Sequence, residues 1–375
     1  MTLKREPSSY RDPDGYVAYQ GDDIFRHILN DNAPVLLPQY NKFFEDALRR
    51  GLLSPFEKTS SSAEGSVLKL FRLPLITYPY EWGFQQLKEA ALLTLDVGLL
   101  ALEHGLSLKD ATAFNAQQYK GKMIFIDHTS FELSDNKLPW RAYTQFCRHF
   151  LGPLLITSKT GRNANKSFVA NLEGVGLDEA SAALPFSSRF KPSTFIHIYL
   201  HNFLINKMKN TNREEKIKSA RTGEQKTFLK YLRETVQAIR PPRYDTEWGD
   251  YYAKTNYEDQ SFHDKEKALK SITSAKKYSC VWDLGGNNGH FSRIMAEHAD
   301  IVVSMDIDYA AIDFNYLENR RLKVGNVYPI VMDLTNPSPA LGFGNGERLT
   351  IDGRSRPDLL VALALIHHLA VTYNI

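Results

Sequence analysis

Residues 280–291 constrain this chain more than any other segment. Residues 280–284 (Cys-Val-Trp-Asp-Leu) form a short apolar run, and residues 285–289 read Gly-Gly-Asn-Asn-Gly. A helical pattern then begins at His290, with Phe291, Ile294 and Met295 on one side. A strand that passes through a glycine turn into a helix opens a parallel α/β unit. Glycine is needed there because a side chain would keep a ligand away from the backbone amides and the helix N-terminus. Asp283, just before the turn, carries a carboxylate that can accept from loop amides or from a ligand ammonium group.

The pattern continues downstream. A second strand over residues 301–305 ends in Asp306, 23 residues after Asp283. This is close to the offset of about 20 residues at which an acidic side chain meets ribose hydroxyls. Those hydroxyls donate, so the position must accept; Asp308 competes for the role. A helix over 309–321 leads to a strand over 328–332, whose end is marked by Asp333, placed to accept from an adenine amino group. A fourth strand over 359–364 follows Pro357-Asp358. Acidic residues thus recur at intervals of 27 and 25 residues after Asp306. One Asp at a strand end commonly just caps the next helix, but four such features in register point to a nucleotide-type site.

Residues 283–291, Asp-Leu-Gly-Gly-Asn-Asn-Gly-His-Phe, resemble motif I of the class I S-adenosylmethionine-dependent methyltransferases, with Asn287 where the middle glycine usually stands. The resemblance implies a Rossmann-like α/β sheet that binds S-adenosylmethionine through Asp283, Gly285, Asn287 and Gly289 at the methionine end, Asp306 at the ribose and Asp333 at the adenine. Residues 357–368 resemble the motif IV strand and its substrate-facing loop, which ends in His367 and His368. Imidazoles there suit removal of a proton from a nucleophile near neutral pH; the other reading is that one of them orders the loop. The chain as a whole resembles a bacterial group of nodulation-protein-like methyltransferases. Residues 77–82 (Thr-Tyr-Pro-Tyr-Glu-Trp), 146–150 (Phe-Cys-Arg-His-Phe), 246–248 (Thr-Glu-Trp) and the histidine pair carry that likeness. It implies methyl transfer to an acceptor that the sequence does not identify.

A chain of 375 residues has room for more than one domain. We expect an N-terminal α+β domain over 1–205, a basic connection over 206–243, and the methyltransferase domain over 244–375. Between Asn206 and Arg233 nine Lys or Arg stand against three Glu, a solvated helix face or a contact for an acidic partner. In the N-terminal part we expect a strand-like piece near 16–19, a helix near 40–50 and a flexible break over 59–65. Strands at 67–70, 75–78 and 123–126, a helix over 84–103, and a helix over 140–156 bent or ended by Pro153 complete it. Asp110, Asn115 and Asp127 resemble the catalytic loop and metal-binding Asp of protein kinases and aminoglycoside phosphotransferases. Ser107 or Leu108 stands where that pattern has His, no glycine-rich loop is visible, and Lys69 is the candidate phosphate-binding lysine. The alternatives for this region are phosphotransfer, a kinase-like module that recruits substrate, or an ordinary turn with polar caps.

The formal charge of +3 argues against a dedicated nucleic-acid binder, and 43% hydrophobic residues suffice for real cores. Two distant cysteines, Cys147 and Cys280, build neither a disulfide framework nor a zinc site, so a cytoplasmic location is expected. Residues 1–10 do not read as a signal peptide, and the apolar run 90–102, broken by Asp96, is too short to span a bilayer. Only 17 residues follow Asp358. The sheet is therefore expected to be incomplete and the chain to be a C-terminally shortened reading of a longer protein, with an unpaired edge at its fourth strand.

Overall fold

Strand β2 (Gly15–Gln20) turns at Gly21, where φ is +63°, and returns as β3 (Asp23–Ile28). With β1 (Lys4–Arg5), β4 (Phe56–Ser62) and β5 (Gly65–Leu70) they make a five-stranded antiparallel sheet in the order β1-β2-β3-β5-β4. The helix Pro38–Arg49 connects β3 to β4 and buries Tyr40, Phe43, Phe44 and Ala47, a helical apolar stripe. The computed structural model describes residues 3–12, 14–29, 38–62, 65–135, 139–209, 222–243, 260–363, 365–372 and 374.

Two expectations for this region are corrected. The break expected over 59–65 is a strand through Ser62, because Ser60–Ser62 pair across the sheet with β5 and Thr59, at a bulge in the register, donates its hydroxyl to Val67 O (3.0 Å). Pairing overrides a serine-rich composition. Residues 75–78 form no strand: the Thr77 amide donates to the Gln117 side chain (2.8 Å), and Pro79–Glu81 close a single 3-10 turn.

The helix Phe84–Glu103 is the spine of the N-terminal part, with Leu87, Ala91, Leu95 and Leu102 in its core. After it come β6 (Leu106–Leu108), β7 (Ala116–Tyr119), β8 (Lys122–Phe125) and β9 (Phe131–Leu133), paired β6 with β9 and β7 with β8. Pro153 neither ends nor breaks the following helical run, which continues to Thr160. A π-helical turn, Cys147–Leu151, precedes it, so proline enters in the first turn of a new α segment, where its missing amide costs nothing. Within the expected connection, Thr222–Ala238 is a helix that lays Leu229, Leu232 and Val236 into the N-terminal core and pairs Arg233 with Asp96 (2.6 and 3.1 Å).

The C-terminal part contains β10 (Tyr278–Leu284), β11 (Ala299–Asp306), β12 (Val327–Val331) and β13 (Leu359–Ala362), all parallel, in the order β12-β11-β10-β13. The fold is mixed α/β. Its first strand, β10, has β11 on one side and β13 on the other, so the strand order reverses direction there. In open α/β sheets that reversal opens a crevice beyond the strands' C-terminal ends.

The N-terminal part covers the β12 edge. Gln86 Nε2 donates to Pro329 O (3.0 Å) and Gln118 Nε2 to Val327 O (2.8 Å), so side chains replace a missing neighbouring strand. Asp313 of the C-terminal part accepts from the Gln85 amide (2.8 Å) and so caps the Phe84–Glu103 helix across the interface. A Cβ on Gly83 would lie 2.2 Å from that carboxylate, which is why glycine precedes the helix. At the opposite edge, β13 pairs with β10 alone among the described residues, and Leu360 is 53% exposed.

Candidate functional site: the turn after the first parallel strand

Local sequence shapes the turn. Gly285 and Gly289 have φ of +74° and +76°, and Asn287 has +46°, a conformation that asparagine tolerates better than most residues. Thus Asn287 takes the left-handed conformation that a glycine would adopt there. The amides of Gly285 and Gly286 donate to Met305 O (2.9 Å each), and the Asn287 amide donates to Asp306 Oδ2 (2.9 Å). Asp306 Oδ1 accepts from the Asp308 amide (2.9 Å). Burial raises the Asp306 pKa, against those two amide bonds. The carboxylate expected at the ribose therefore also braces the glycine turn.

The glycines have different jobs. A Cβ on Gly286 would meet Ser304 Oγ at 2.3 Å, and one on Gly289 would meet Asn315 Oδ1 at 2.1 Å, so both permit close packing inside the domain. Gly285 faces only the Leu365 side chain, at 3.4 Å. It is the glycine at the mouth of the crevice.

Asp283 is 2% exposed. It accepts from Ser292 Oγ (2.5 Å), which also lies 2.8 Å from Ser304 Oγ. Asn315 Nδ2 donates to Ser304 Oγ (2.9 Å), and Asn319 Nδ2 to Asn315 Oδ1 (2.8 Å). Burial, and secondarily Asp306, push the Asp283 carboxyl up to about 6 against the Ser292 hydrogen bond. Sequence reasoning missed this buried network, although Ser292, Asn315 and Asn319 lie among apolar helix positions and that pattern was a usable signal.

The other expected residues fall as follows. Asp333 follows β12, and its Oδ1 accepts from the Thr335 amide (2.9 Å) and hydroxyl (2.7 Å). Burial acts to raise its pKa, but these bonds outweigh it and hold the carboxyl below its usual value. Asp308 caps the helix Tyr309–Leu322 through Oδ1, while its Oδ2 is buried with no hydrogen-bond partner among the described residues. His367 and His368 lie in the helix Ile366–Thr372; their side chains fall outside the described residues, as does the segment 246–248.

The N-terminal set also converges. Asn115 Nδ2 donates to Ser130 Oγ (3.0 Å), which donates to Asp127 Oδ2 (2.7 Å), and half-buried Asp110 has its pKa raised by desolvation and by nearby Asp127. Lys69 does not join them. It lies on β5 in an exposed pair with Asp23 (2.8 Å). The cation facing Asp127 is Arg26 of β3, at 3.6 Å, which also binds Asp12 and Thr129. Burial acts to raise the Asp127 pKa, but Arg26 and the Thr129 and Ser130 hydrogen bonds bring it below its usual value. Of the shared signature residues, His149 is buried and supports the 110–115 loop, its Nδ1 accepting from the Ala113 amide (3.3 Å); burial pushes it down to about 3. Both cysteines are buried and free. Among the described residues there is no metal-ligand cluster, and no helix is long and apolar enough to cross a membrane.

No protein-family model matches the chain. Among solved structures, an rRNA methylase from Streptococcus thermophilus aligns with 20% of this chain and 43% of its own length, at 19% identity and a TM-score of 0.18. Vaccinia related kinase 3 aligns with 64% of this chain and 80% of its own, at 13% identity and a TM-score of 0.28. The choline kinase LicA from Streptococcus pneumoniae covers 73% and 94%, at 9% identity and a TM-score of 0.26. Over an alignment 398 positions long, spanning 99% of this chain and 80% of the relative, the chain is 31% identical to the nodulation protein NoeA of Rhizobium meliloti (strain 1021). The chain belongs to the NoeA family of nodulation proteins.

Proposed function

We propose that the protein is an S-adenosylmethionine-dependent methyltransferase whose cofactor lies across the C-terminal ends of β10 and β11. The observation that carries this reading is the glycine turn at the sheet's reversal point, braced by the Asn287 amide on Asp306. Two features fit the cofactor: Gly285 adds no side chain of its own to the crevice, where only Leu365 adjoins it, and Asp308 Oδ2 is a buried acceptor with no hydrogen-bond partner among the described residues. When bound, the cofactor supplies a methyl group on a positively charged sulfur.

The chain's own residues do the rest. Gly285 and Asn287 keep the backbone open to the methionine portion, Gly289 lets the turn pack on Asn315, and Asp283 lies beneath them. Asp306, with Asp308 beside it, accepts from the ribose hydroxyls, and Asp333 lies on the adenine side. Leu365 packs on Gly285, so the chain carrying His367 and His368 departs from the turn itself. Either imidazole there serves to take a proton from the acceptor nucleophile. Alignment and exclusion of water supply the remaining rate.

Calorimetric titration with S-adenosylhomocysteine tests the reading. Wild type should bind and Asp306→Ala should lose at least tenfold in affinity; no binding by wild type rejects it.

A further inference from the structure

The sequence from Ala180 to Arg213 contains Arg189, Lys191, Lys207, Lys209 and Arg213 and not one acidic residue. Its fold turns large apolar side chains outward: Phe186 is 68% exposed, Phe190 77%, Phe195 44%, Ile196 43%, Phe203 62% and Leu204 46%. Few monomeric surfaces gather so many. Helical spacing sets Ile196, Phe203 and Lys207 on one face of the run 195–209, with Leu204 at its margin and the buried Ile198 on the opposite side. The face is therefore amphipathic, with its apolar side outward.

Charge says what covers it. Arg189 lies 5.3 Å from the Phe186 ring and 5.1 Å from the Tyr199 ring, and the Phe186 and Phe190 rings meet edge to face at 5.6 Å. Beside them stand the exposed Lys159 and Lys191, close enough that Lys191 is the leading cause of a lowered Lys159 pKa. Among the described residues no carboxylate pairs with Lys159, Arg189 or Lys191. A second copy on this face would press like charges together. The exposed rings and Ile196 and Leu204 themselves carry no hydrogen-bond donors or acceptors, and the charged groups at their rim are cations. A lipid surface needs none: its anionic headgroups meet the cations and its acyl boundary takes the rings.

We propose that residues 186–204, with Lys159, form a docking surface for the anionic headgroup layer of a membrane, inserting Phe190 and Phe203 at the acyl boundary. The full chain would be sedimented with vesicles of phosphatidylcholine alone and with vesicles containing phosphatidylglycerol. It should bind the anionic vesicles at least tenfold more tightly, and high salt should weaken that binding. Phe190→Ser with Phe203→Ser should reduce binding several-fold, and so should Lys159→Glu with Lys191→Glu, a pair of exposed sites whose change leaves the core intact. Absence of binding, or equal binding to both vesicle types, overturns the proposal. So does a solution dimer that Phe190→Ser converts to monomer, since that assigns the face to a second copy.

Discussion

The Glu81 carboxylate and the Arg354 guanidinium form a two-pronged ion pair across the interface between the two parts of the chain, with one contact at 3.0 Å and side-chain exposures of 0% and 4%. Glu81 also accepts from the Tyr78 amide (2.9 Å), the Tyr78 ring lies 4.3 Å beneath Arg354, and the Tyr78 hydroxyl accepts from the Leu349 amide (3.0 Å). The Thr77–Trp82 signature is thus the clasp between the parts.

Breaking that clasp on one side leaves a buried charge unpaired. Glu81→Ala or Arg354→Ala should each cost about 3–5 kcal/mol, while Glu81→Ala with Arg354→Ala together should cost less than the sum of the two single changes. Urea unfolding of the full chain measures both; additive losses would mean the pair is not a unit.

Gly289→Ala adds a Cβ 2.1 Å from Asn315 Oδ1 at a φ of +76°. The strained backbone alone should cost on the order of 1–3 kcal/mol. Removing the clash with Asn315→Ala should recover only part of the loss in thermal unfolding, because the backbone strain stays.

Asp283 has a folded-state pKa of about 6, raised from 3.8 chiefly by burial. The folded protein thus holds this proton more tightly than the unfolded chain. The resulting stabilisation is complete below the unfolded value and is lost as pH rises through about 6. Asp283→Asn removes the titration, so its stability relative to wild type should rise by roughly 2–3 kcal/mol between pH 4 and pH 7. A stability difference that stays flat across that window would show that Asp283 does not titrate there.

The Asp127 pKa is depressed, so its contribution is present above the ordinary carboxylate range and lost as pH falls through the lowered value. Arg26→Ala should cost about 1–3 kcal/mol at pH 7 and distinctly less in acid, where Asp127 is protonated. With Arg26 on Asp127, Mg-ATP should leave the unfolding temperature of wild type unchanged. A stabilising shift abolished by Asp127→Ala would instead assign phosphotransfer chemistry to the N-terminal part.

The parallel strands were legible because strands buried on both faces read as continuous apolar runs, here punctuated by Asp283, Asp306 and Asp333. The helix Phe84–Glu103 was legible because it is rich in Leu and Ala. Lys69 was misread because strand order is invisible in sequence: β5 lies between β3 and β4, and it is β3 that presents a cation, Arg26, to Asp127. Ser60–Ser62 were misread because a partner strand, not local propensity, holds them extended.

By itself, then, the sequence determined the glycine turn, its acidic companions and the periodicities of the elements, since these depend on φ preferences and spacing along a few residues. Tertiary structure alone decided what those residues do besides. It made Asp306 a brace for Asn287, sank Asp283 beneath Ser292 and Ser304, capped a helix with Asp313 from the other part, and joined Glu81 to Arg354. Each of these depends on burial and on donors far away in the chain, which no local pattern encodes.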